Sequence, residues 1–404
     1  MVLTVQKVFS KYIDGYLESY TCSTEMRRAA LRIRACRTAE LGWHSNTCPF
    51  GHYHDIAYNS CHHRCCPQCN TFPREKWLEA WKQRLLPCPH HHIVFTTPQE
   101  LVSLWRYNKS LFATTLFAAA SQTLIELLDD PQFLGARPGL LAALHTWSQT
   151  LAAHVHLHVL VTGGGLDGDG KWIAAKKDCL LPRKVLMIKF RGKFRAMLLE
   201  LLAGGKLTLP PDSKGNQWHS ELNRLGRIPW NVKLMERYEH GTGVATYLAN
   251  YLKGGPIGNR RLISDQHGEI KFRYRQPTGE HGEVPRQGTV KLLANEFMAR
   301  FLEHIPPKGF QTVRGYGLYS GNQHSRLDDA HRALGSPPPV RPMVRLSWQE
   351  FIRSLGHIPI CVCPVCGAKL ISESYRPRLR DPPLRLAEDQ LHSSQSAVAE
   401  AGAA

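Results

Sequence analysis

The stretch 154-HVHLHVLVTGGGL-166 places three histidines at alternate positions and then continues as an apolar run. Successive side chains of a β-strand point to opposite faces, so the pattern predicts that His154, His156 and His158 share one face. The residues between them, Val155 and Leu157, then belong to the opposite, apolar face. We therefore expect a buried strand with one face in a core and a row of imidazoles on the other.

A row of imidazoles on a strand is typical of a metal site. Neutral histidine is the commonest side-chain metal ligand, and two histidines at positions i and i+2 can converge on one ion. The alternative is a polar strand face whose histidines are hydrogen-bonded or solvated. Three histidines in register, backed by an uninterrupted apolar face, favour the metal site, although the spacing does not name the metal.

Two tyrosines, Tyr247 and Tyr251, lie one helical turn apart in 247-YLANY-251. On a helix they share one side, where a phenol can pack its ring and extend its oxygen into a cleft. Taken alone, two structural tyrosines are the simpler interpretation. Next to a divalent metal, however, a phenol could attack a phosphodiester as a covalent nucleophile.

The charge balance indicates a polyanionic partner. Lys and Arg number 51 against 33 Asp and Glu, for a formal net charge of +18. Such an excess favours nucleic acid binding over a merely solvated basic surface. No apolar run approaches the roughly 20 residues of a membrane span, and the N-terminus lacks the pattern of a secretory signal. We therefore expect a soluble, cytoplasmic protein with no membrane partner.

The 12 cysteines are clustered rather than scattered. In a reducing compartment, clusters of Cys and His favour metal binding over disulfides, and the region from 36 to 73 has too few apolar residues to fold without a cross-link. One or two structural Zn²⁺ ions are predicted there. The candidate ligands are Cys36, His44, Cys48, His52, Cys61, Cys65, Cys66 and Cys69, with His54 as an alternative to His52.

A second, smaller cluster lies near the C-terminus in 361-CVCPVCGAK-369. Cys363 and Cys366 form a C-x2-C half-site, and Cys361 adds a third thiol. A complete zinc site would need a fourth ligand, for which His357 is the nearest candidate.

Basic residues accompany both predicted sites. Arg34, Arg37 and Arg64 surround the N-terminal cysteines, and a second group, Lys253, Arg260 and Arg261, follows the tyrosines. Both groups are predicted to contact DNA phosphates.

Hydrophobic periodicity and breaker residues divide the chain into alternating helical and extended pieces. Strands are predicted at 90–98, 154–161, 171–177, 230–238, 260–264 and 269–275. Helices are predicted at 1–35, 74–86, 99–128, 139–151, 183–202, 243–253 and 290–304. The expected fold class is α+β in three parts: a helical and zinc-binding module at 1–87, a catalytic domain at 88–320, and a basic, Pro-rich tail at 321–404.

In this order, five stretches resemble one known family. They are 35-ACRTAELGWH-44, 57-AYNSCHHRCCPQC-69, 154-HVHLHVLVTGGGL-166, 243-GVATYLANYLKGGPIGNRRL-262 and 314-RGYGLYS-320. Together they resemble the two-tyrosine HUH transposases of rolling-circle insertion sequences, the IS91-like family, in which HUH denotes His–hydrophobic–His. Relaxases and plasmid replication initiators share the HUH fold, but the cysteine-rich front end favours the transposases.

The resemblance implies a fold and a site. The fold would be an HUH-type antiparallel sheet flanked by helices, with the histidine strand in its centre. The family's HUH pair aligns best with His156 and His158, and His154 is an alternative partner of His156. The family's tyrosines fall on Tyr247 and Tyr251, and a third polar metal ligand is expected, for which Asn250 and His240 are candidates.

The chain departs from the family at two zinc-ligand positions. Gly51 stands where a second cysteine usually follows Cys48, and Cys65 stands where a histidine usually precedes the last C-x2-C. The second change keeps a zinc-competent ligand. The first puts one site in doubt unless His52 or His54 replaces the missing cysteine.

The resemblance implies a DNA transposase that cleaves and rejoins single-stranded DNA at the ends of a mobile element and in its target. Mg²⁺ or Mn²⁺ would occupy the histidine site, and the intermediate would be a 5′-phosphotyrosine. The oligomeric state stays open, homo-oligomerisation included. An alternative of another class is a zinc-dependent DNA-binding protein without catalysis, in which the histidines and tyrosines are structural.

Overall fold

The computed structural model describes residues 2–176, 180–240, 243, 246, 255–275, 287–341, 347–354 and 361–375. Several predicted functional residues lie outside these ranges. They are Tyr247, Asn250, Tyr251, Lys253 and His357.

A six-stranded antiparallel sheet forms the centre of the fold, in the order β11-β4-β5-β3-β7 with β6 paired to β5. Its strands are β3 (His90–Thr96), β4 (Arg137–Trp147), β5 (Ala153–Leu166), β6 (Trp172–Ala174), β7 (Val232–Tyr238) and β11 (Val313–Gly317). The histidine strand β5 lies between β4 and β3, as expected. The α+β class and the antiparallel sheet are confirmed.

The apolar face of β5 packs as predicted. Val155, Leu157 and Val159 are buried in one core with two long helices, α5 (Lys109–Asp129) and α6 (Arg183–Ala203). Fully burying each such side chain contributes about 1.5–3 kcal/mol. The strand is therefore held in a fixed register, which fixes the side chains of its opposite face as well.

Residues 139–151 are predicted to be helical, and this is wrong. Residues 139–147 belong to strand β4, which hydrogen-bonds along nearly the whole of β5, and residues 148–151 form the turn between the two strands. The run 140-LLAAL-144 has high helix propensity, but its residues alternate between two cores: Leu140, Ala142 and Leu144 face one, and Leu141 and Ala143 the other. Burial on both sides of a sheet overrides local propensity.

The other helices contribute to the buried cores or, in the case of the last one, pack on another helix. They are α1 (Val5–Ser19), α2 (Thr24–Arg34), α3 (Thr71–Lys82), α4 (Val102–Tyr107), α7 (Gly215–Leu225), α8 (Ala294–Glu303), α9 (His324–Ala333) and α10 (Trp348–Ser354). Among the described helices, α5 has the length and apolar composition of a membrane span, but 67% of its apolar window is buried inside the protein. That burial is what a core helix shows.

Two smaller sheets complete the fold. One has the order β10-β9-β8, from Gln287–Leu293, Glu269–Arg275 and Leu262–Gln266, and shares a core with α1, α2 and α8. The other has the order β12-β1-β2, from Ile371–Tyr375, Trp43–Thr47 and His54–Tyr58. Contacts thus connect residues on either side of both predicted domain boundaries, at 87 and at 320. The division into three domains stays a prediction.

Candidate active site

Three histidines on the two central strands face one another. His156 and His158 project from β5, and His145 on β4 is paired directly with His156. One ring nitrogen of each lies within 4.8 Å of the others. The ring centroid of His145 lies 5.3 Å from that of His156 and 4.4 Å from that of His158. A β-sheet brings these side chains together because directly paired residues and i, i+2 residues share a face.

Hydrogen bonds orient two of these rings. His156 Nδ1 lies 2.8 Å from the carbonyl oxygen of His154, so it is the protonated nitrogen and Nε2 remains for a ligand. His158 Nδ1 lies 2.8 Å from Nε2 of His92 on β3. If His158 Nδ1 donates this bond, its Nε2 is likewise left to bind. A hydrogen bond to one ring nitrogen holds the imidazole in place and so sets the direction of the other nitrogen, as in many metal sites.

The environment keeps these imidazoles neutral. Burial lowers the pKa of His156 to about 4. Burial, reinforced by the neighbouring histidines, holds the pKa of His145 and of His158 well below the usual value. Neutral imidazole is the form that binds a metal, so the group can accept a cation at neutral pH without first losing protons.

His154 lies on the same strand face but outside this group. Its ring centroid is 4.9 Å from that of His156, and its side chain is half-buried at the end of the strand. Its backbone carbonyl is what contacts the group, through the hydrogen bond from His156. The described geometry therefore assembles His145, rather than His154, with the pair aligned to the HUH motif.

The expected third ligand also differs from what the structure assembles. His240 is exposed and outside the group, and Asn250 lies outside the described residues. The sequence does not predict His145 as a metal ligand, because the pattern of its segment favours a helix. The alternation Leu141, Ala143, His145 was the available signal, since these residues share a face in a strand and not in a helix.

The donor set constrains which ions fit. Three imidazole nitrogens can surround one face of an ion at about 2.1 Å each, leaving the other positions open. Imidazole suits Mn²⁺ and the later transition metals better than Mg²⁺, which prefers oxygen ligands. The three residues therefore fit a divalent cation, and Mn²⁺ better than Mg²⁺.

A cleft lies at the end of β4, lined there by Leu144, Thr146 and Trp147 and by none of the three histidines. The indole of Trp147 stacks on His145, with ring centroids 5.4 Å apart and an interplanar angle of 13°. Trp147 also lines the cleft together with Arg64, Lys109 and His304. The lining also includes Glu303, so the cleft carries charges of both signs.

Seven cysteines and one histidine form two groups of four potential ligands. In the first, Cys36, Cys61, Cys66 and Cys69 bring their sulfur atoms within 4.8 Å of one another. The Cys36–Cys69 and Cys61–Cys69 sulfur distances are 3.2 and 3.3 Å. Four thiolates around one Zn²⁺ at about 2.3 Å have sulfurs roughly 3.8 Å apart, so a small expansion suffices to admit the ion.

The second group joins distant parts of the chain. Cys48 and His52 meet Cys363 and Cys366. His52 thus supplies the fourth ligand that is missing because Gly51 stands where the family usually has a cysteine.

Two predicted zinc ligands are not brought into either group. Cys65 is buried in the neighbouring apolar core, where burial raises the pKa of its thiol to about 12. His44 Nδ1 lies 3.2 Å from Oδ1 of Asn59. Adjacent cysteines point in different directions, so of Cys65 and Cys66 one faces the metal group and the other the core.

Comparisons with known proteins agree with these features. A family model described as "Transposase zinc-binding domain" matches residues 8–97, and one described as "Putative transposase" matches residues 139–326. A protein of Sinorhizobium fredii named "Putative transposase y4qJ" is 34% identical over 372 residues, covering 90% of this chain and 92% of its own. The chain belongs to the IS91-like family of transposases.

A second relative carries the name of its element. The transposase of insertion sequence IS801 from Pseudomonas savastanoi pv. phaseolicola is 29% identical over 351 residues, covering 84% of this chain and 81% of its own. Among solved structures, the metal-bound complex of the conjugative relaxase TrwC with oriT DNA aligns at 12% identity. That alignment covers 62% of this chain and 97% of the relaxase, with a TM-score of 0.22, which is too low to support an argument.

The structure describes residues on both sides of the segment that holds the two predicted tyrosine nucleophiles. Gly243 and Thr246 are helical, as predicted for 243–253. Before the segment, Tyr238 pairs with His90 at the far end of the sheet. After it, the guanidinium of Arg261 donates to the carbonyl of Gln149, in the hairpin that joins the two histidine strands.

The predicted DNA-contacting arginines fall into two classes. Arg34 is neutralised by Asp14 and Glu40, and Arg261 is engaged by backbone carbonyls. Three others, Arg37, Arg64 and Arg260, are exposed. Arg64 also donates to the carbonyl of Phe310 and the hydroxyl of Thr312, which fixes it at the rim of the cleft.

Proposed function

We propose that this transposase cleaves and rejoins single-stranded DNA at the ends of its mobile element through tyrosine nucleophiles. The observation that carries the proposal is the convergence of His145, His156 and His158 on the central strands of the sheet. Three neutral donors that converge in this way are suited to hold a divalent cation against a phosphodiester. The transposase would act in the cytoplasm, on the DNA of the bacterial nucleoid.

The nucleophiles are proposed to be Tyr247 and Tyr251. The phenol loses its proton and its oxygen forms a bond to the phosphorus, the bond between phosphorus and the 3′ oxygen breaks, and that oxygen takes up a proton. The products are a 5′-phosphotyrosine and a free 3′-hydroxyl, and attack by a 3′-hydroxyl on the phosphotyrosine reverses the step. Two tyrosines allow two such links, so strands can be exchanged rather than only cut.

The histidines have assigned roles in this proposal. A bound divalent ion would polarise the phosphoryl oxygens and hold the phosphate for in-line attack. His145, His156 and His158 hold the ion, and His92 orients His158. From the donor set we expect Mn²⁺ to support cleavage at lower concentration than Mg²⁺.

The preference for a single strand is supported by an exposed aromatic face on the β12-β1-β2 sheet. Tyr58 and Tyr375 pair with Trp43 from either side, so the three side chains share one face. Both tyrosines are exposed, and Arg37 donates to the carbonyl of Tyr58. Exposed rings next to positive charge are suited to stack unpaired bases and hold the backbone.

The test is a cleavage assay on labelled single-stranded DNA from both ends of the element, with Mn²⁺, Mg²⁺ or EDTA. We expect a metal-dependent protein–DNA adduct that resists SDS. The adduct should disappear in the double variant Tyr247→Phe/Tyr251→Phe and persist in Tyr238→Phe, which lies on β7 and packs against the core.

Two outcomes would overturn the proposal. An adduct that survives the double variant would exclude these nucleophiles. Tight binding of both end strands without any adduct, in protein with intact zinc content, would favour a DNA-binding role without catalysis.

A further inference from the structure

Four potential zinc ligands meet from opposite ends of the chain. Cys48 and His52 follow strand β1, and Cys363 and Cys366 precede strand β12. The sulfur of Cys48 lies 3.7 Å from that of Cys366 and 3.9 Å from Nδ1 of His52. Neither half has enough ligands for a structural zinc site by itself, and together they have four.

Each half contains a turn with a glycine at positive φ. In the first, Gly51 donates its N–H to the carbonyl of Cys48 at 3.0 Å and has a positive φ of +75°, which returns the chain so that His52 faces Cys48. In the second, Gly367 donates its N–H to the carbonyl of Cys363 at 2.9 Å and has a φ of +72°. Only glycine adopts this backbone conformation without strain. Gly51, which stands where the family usually has a cysteine, is therefore part of the turn that brings His52 to Cys48.

One backbone N–H of the first turn is also directed at the sulfur atom of Cys48. The backbone N–H of Phe50 lies 3.4 Å from the sulfur of Cys48. Donors aimed at sulfur stabilise the thiolate, which is the form that binds zinc. Cys48 and Cys363 are each only 2% exposed, whereas His52 and Cys366 are exposed, so the site would have an inner and an outer pair of ligands.

The surrounding structure needs such a cross-link. Around the four ligands the buried cluster comprises little more than Leu370 and the partly buried Tyr53. Strand β12 pairs with β1 over five residues, and all five of its side chains are exposed. So little apolar burial cannot by itself order a segment that lies 318 residues from its partner along the chain.

We propose that Cys48, His52, Cys363 and Cys366 bind a second structural Zn²⁺, distinct from the one at the Cys36 group, that ties the C-terminal segment to the N-terminal module. Tetrahedral coordination with three sulfurs and one nitrogen fits the donor set. This ion also holds one side chain of the exposed aromatic face in place. Tyr375 lies on β12, the strand that the ion anchors, and its ring centroid is 6.4 Å from that of Trp43. The inference goes beyond the proposed function, because it concerns no residue of the cleavage reaction.

The exposed ligands allow a test with little risk of unfolding. In the full-length protein, purified and freed of loosely bound metal, zinc per chain is measured by mass spectrometry for Cys366→Ser and His52→Ala. The matched controls are Cys361→Ser, two residues before the half-site, and His54→Ala, an exposed histidine two residues after His52. We expect Cys366→Ser to lose one zinc per chain, and His52→Ala to lose it or to release it to a chelator at least about 10-fold faster. Both controls should match the wild type.

Two further readouts separate ligation from a general structural effect. Cys366→His, which replaces one zinc ligand by another, should restore the zinc content. Hydrogen exchange at residues 43–47 and 371–375 should accelerate in Cys366→Ser and not in Cys361→Ser. Unchanged zinc content and chelator release in both ligand variants, or equal losses in ligand and control variants, would overturn the inference. No DNA or cleavage enters these measurements, so they are informative whether or not the proposed function holds.

Discussion

Replacing His145 by glutamine should weaken activation of DNA cleavage by Mn²⁺ at least about 100-fold. His145 is only 2% exposed and supplies one of the three ring nitrogens that lie within 4.8 Å of one another. Removing a hydrogen-bonding partner of a metal ligand typically costs 10- to 100-fold in affinity, so removing a ligand should cost no less than the upper value. That factor corresponds to about 2.8 kcal/mol of metal-binding free energy. Glutamine is close to histidine in volume, which keeps the packing penalty small.

The assay follows adduct formation on single-stranded end DNA across a Mn²⁺ titration. The apparent activation constant should rise for His145→Gln, while the rate at saturating Mn²⁺ recovers substantially. Recovery at high metal would show that the variant is folded. The matched control is His154→Gln, on the same face of β5 but outside the group, whose activation constant should change less than about 3-fold.

The reverse pattern would refute this reasoning. If His154→Gln weakened activation and His145→Gln did not, the ion would bind at His154, His156 and His158, all on β5. Equal, small effects of both variants would mean that neither histidine binds the ion.

The remaining predictions concern residues that support the site. His92→Ala should raise the Mn²⁺ activation constant about 10- to 100-fold by releasing His158, with the zinc content unchanged; an unaltered constant would show that the 2.8 Å contact has no orienting role. Tyr319→Phe should lower the free energy of unfolding in urea by about 1–3 kcal/mol, because the buried His90 loses the hydroxyl 2.8 Å away, and adduct formation should persist; loss of the adduct in folded protein would contradict a structural role. His304 is fully buried with its pKa lowered to about 4, so its contribution to stability is complete above about pH 6.5 and is lost as the pH falls toward 4. His304→Gln should therefore reduce the pH dependence of the free energy of unfolding, measured in urea, by up to about 1.4 kcal/mol per pH unit in that window, and parallel profiles would count against it.

The periodicity of the sequence was sufficient to predict structure where the interaction that decides the conformation lies within one segment. The alternation in β5 predicted both its apolar face and its row of histidines, because side-chain direction in a strand depends only on position along that strand. The density of cysteines predicted a zinc module, because residues 36–69 contain too little apolar surface to fold otherwise. Helices such as α1 and α6 followed from their apolar spacing in the same way.

Local patterns failed where propensity and tertiary context disagree. The segment around 140-LLAAL-144 favours a helix in isolation, yet it is a central strand because both of its faces are covered. Missing that strand meant missing His145, whose place beside His156 depends on the pairing of β4 with β5. Likewise, nothing in the spacing of Cys65 and Cys66 shows which one faces the sulfur group.

The sequence by itself determined the family, the α+β class, the histidine strand and the presence of a zinc module. Only the tertiary structure decided which donors meet: His145 with His156 and His158, and Cys48 and His52 with Cys363 and Cys366. The reason is physical. Residue type and spacing report the direction of side chains within one element, whereas a metal site is made by strands whose relative register is set by backbone pairing and by the burial of their other faces.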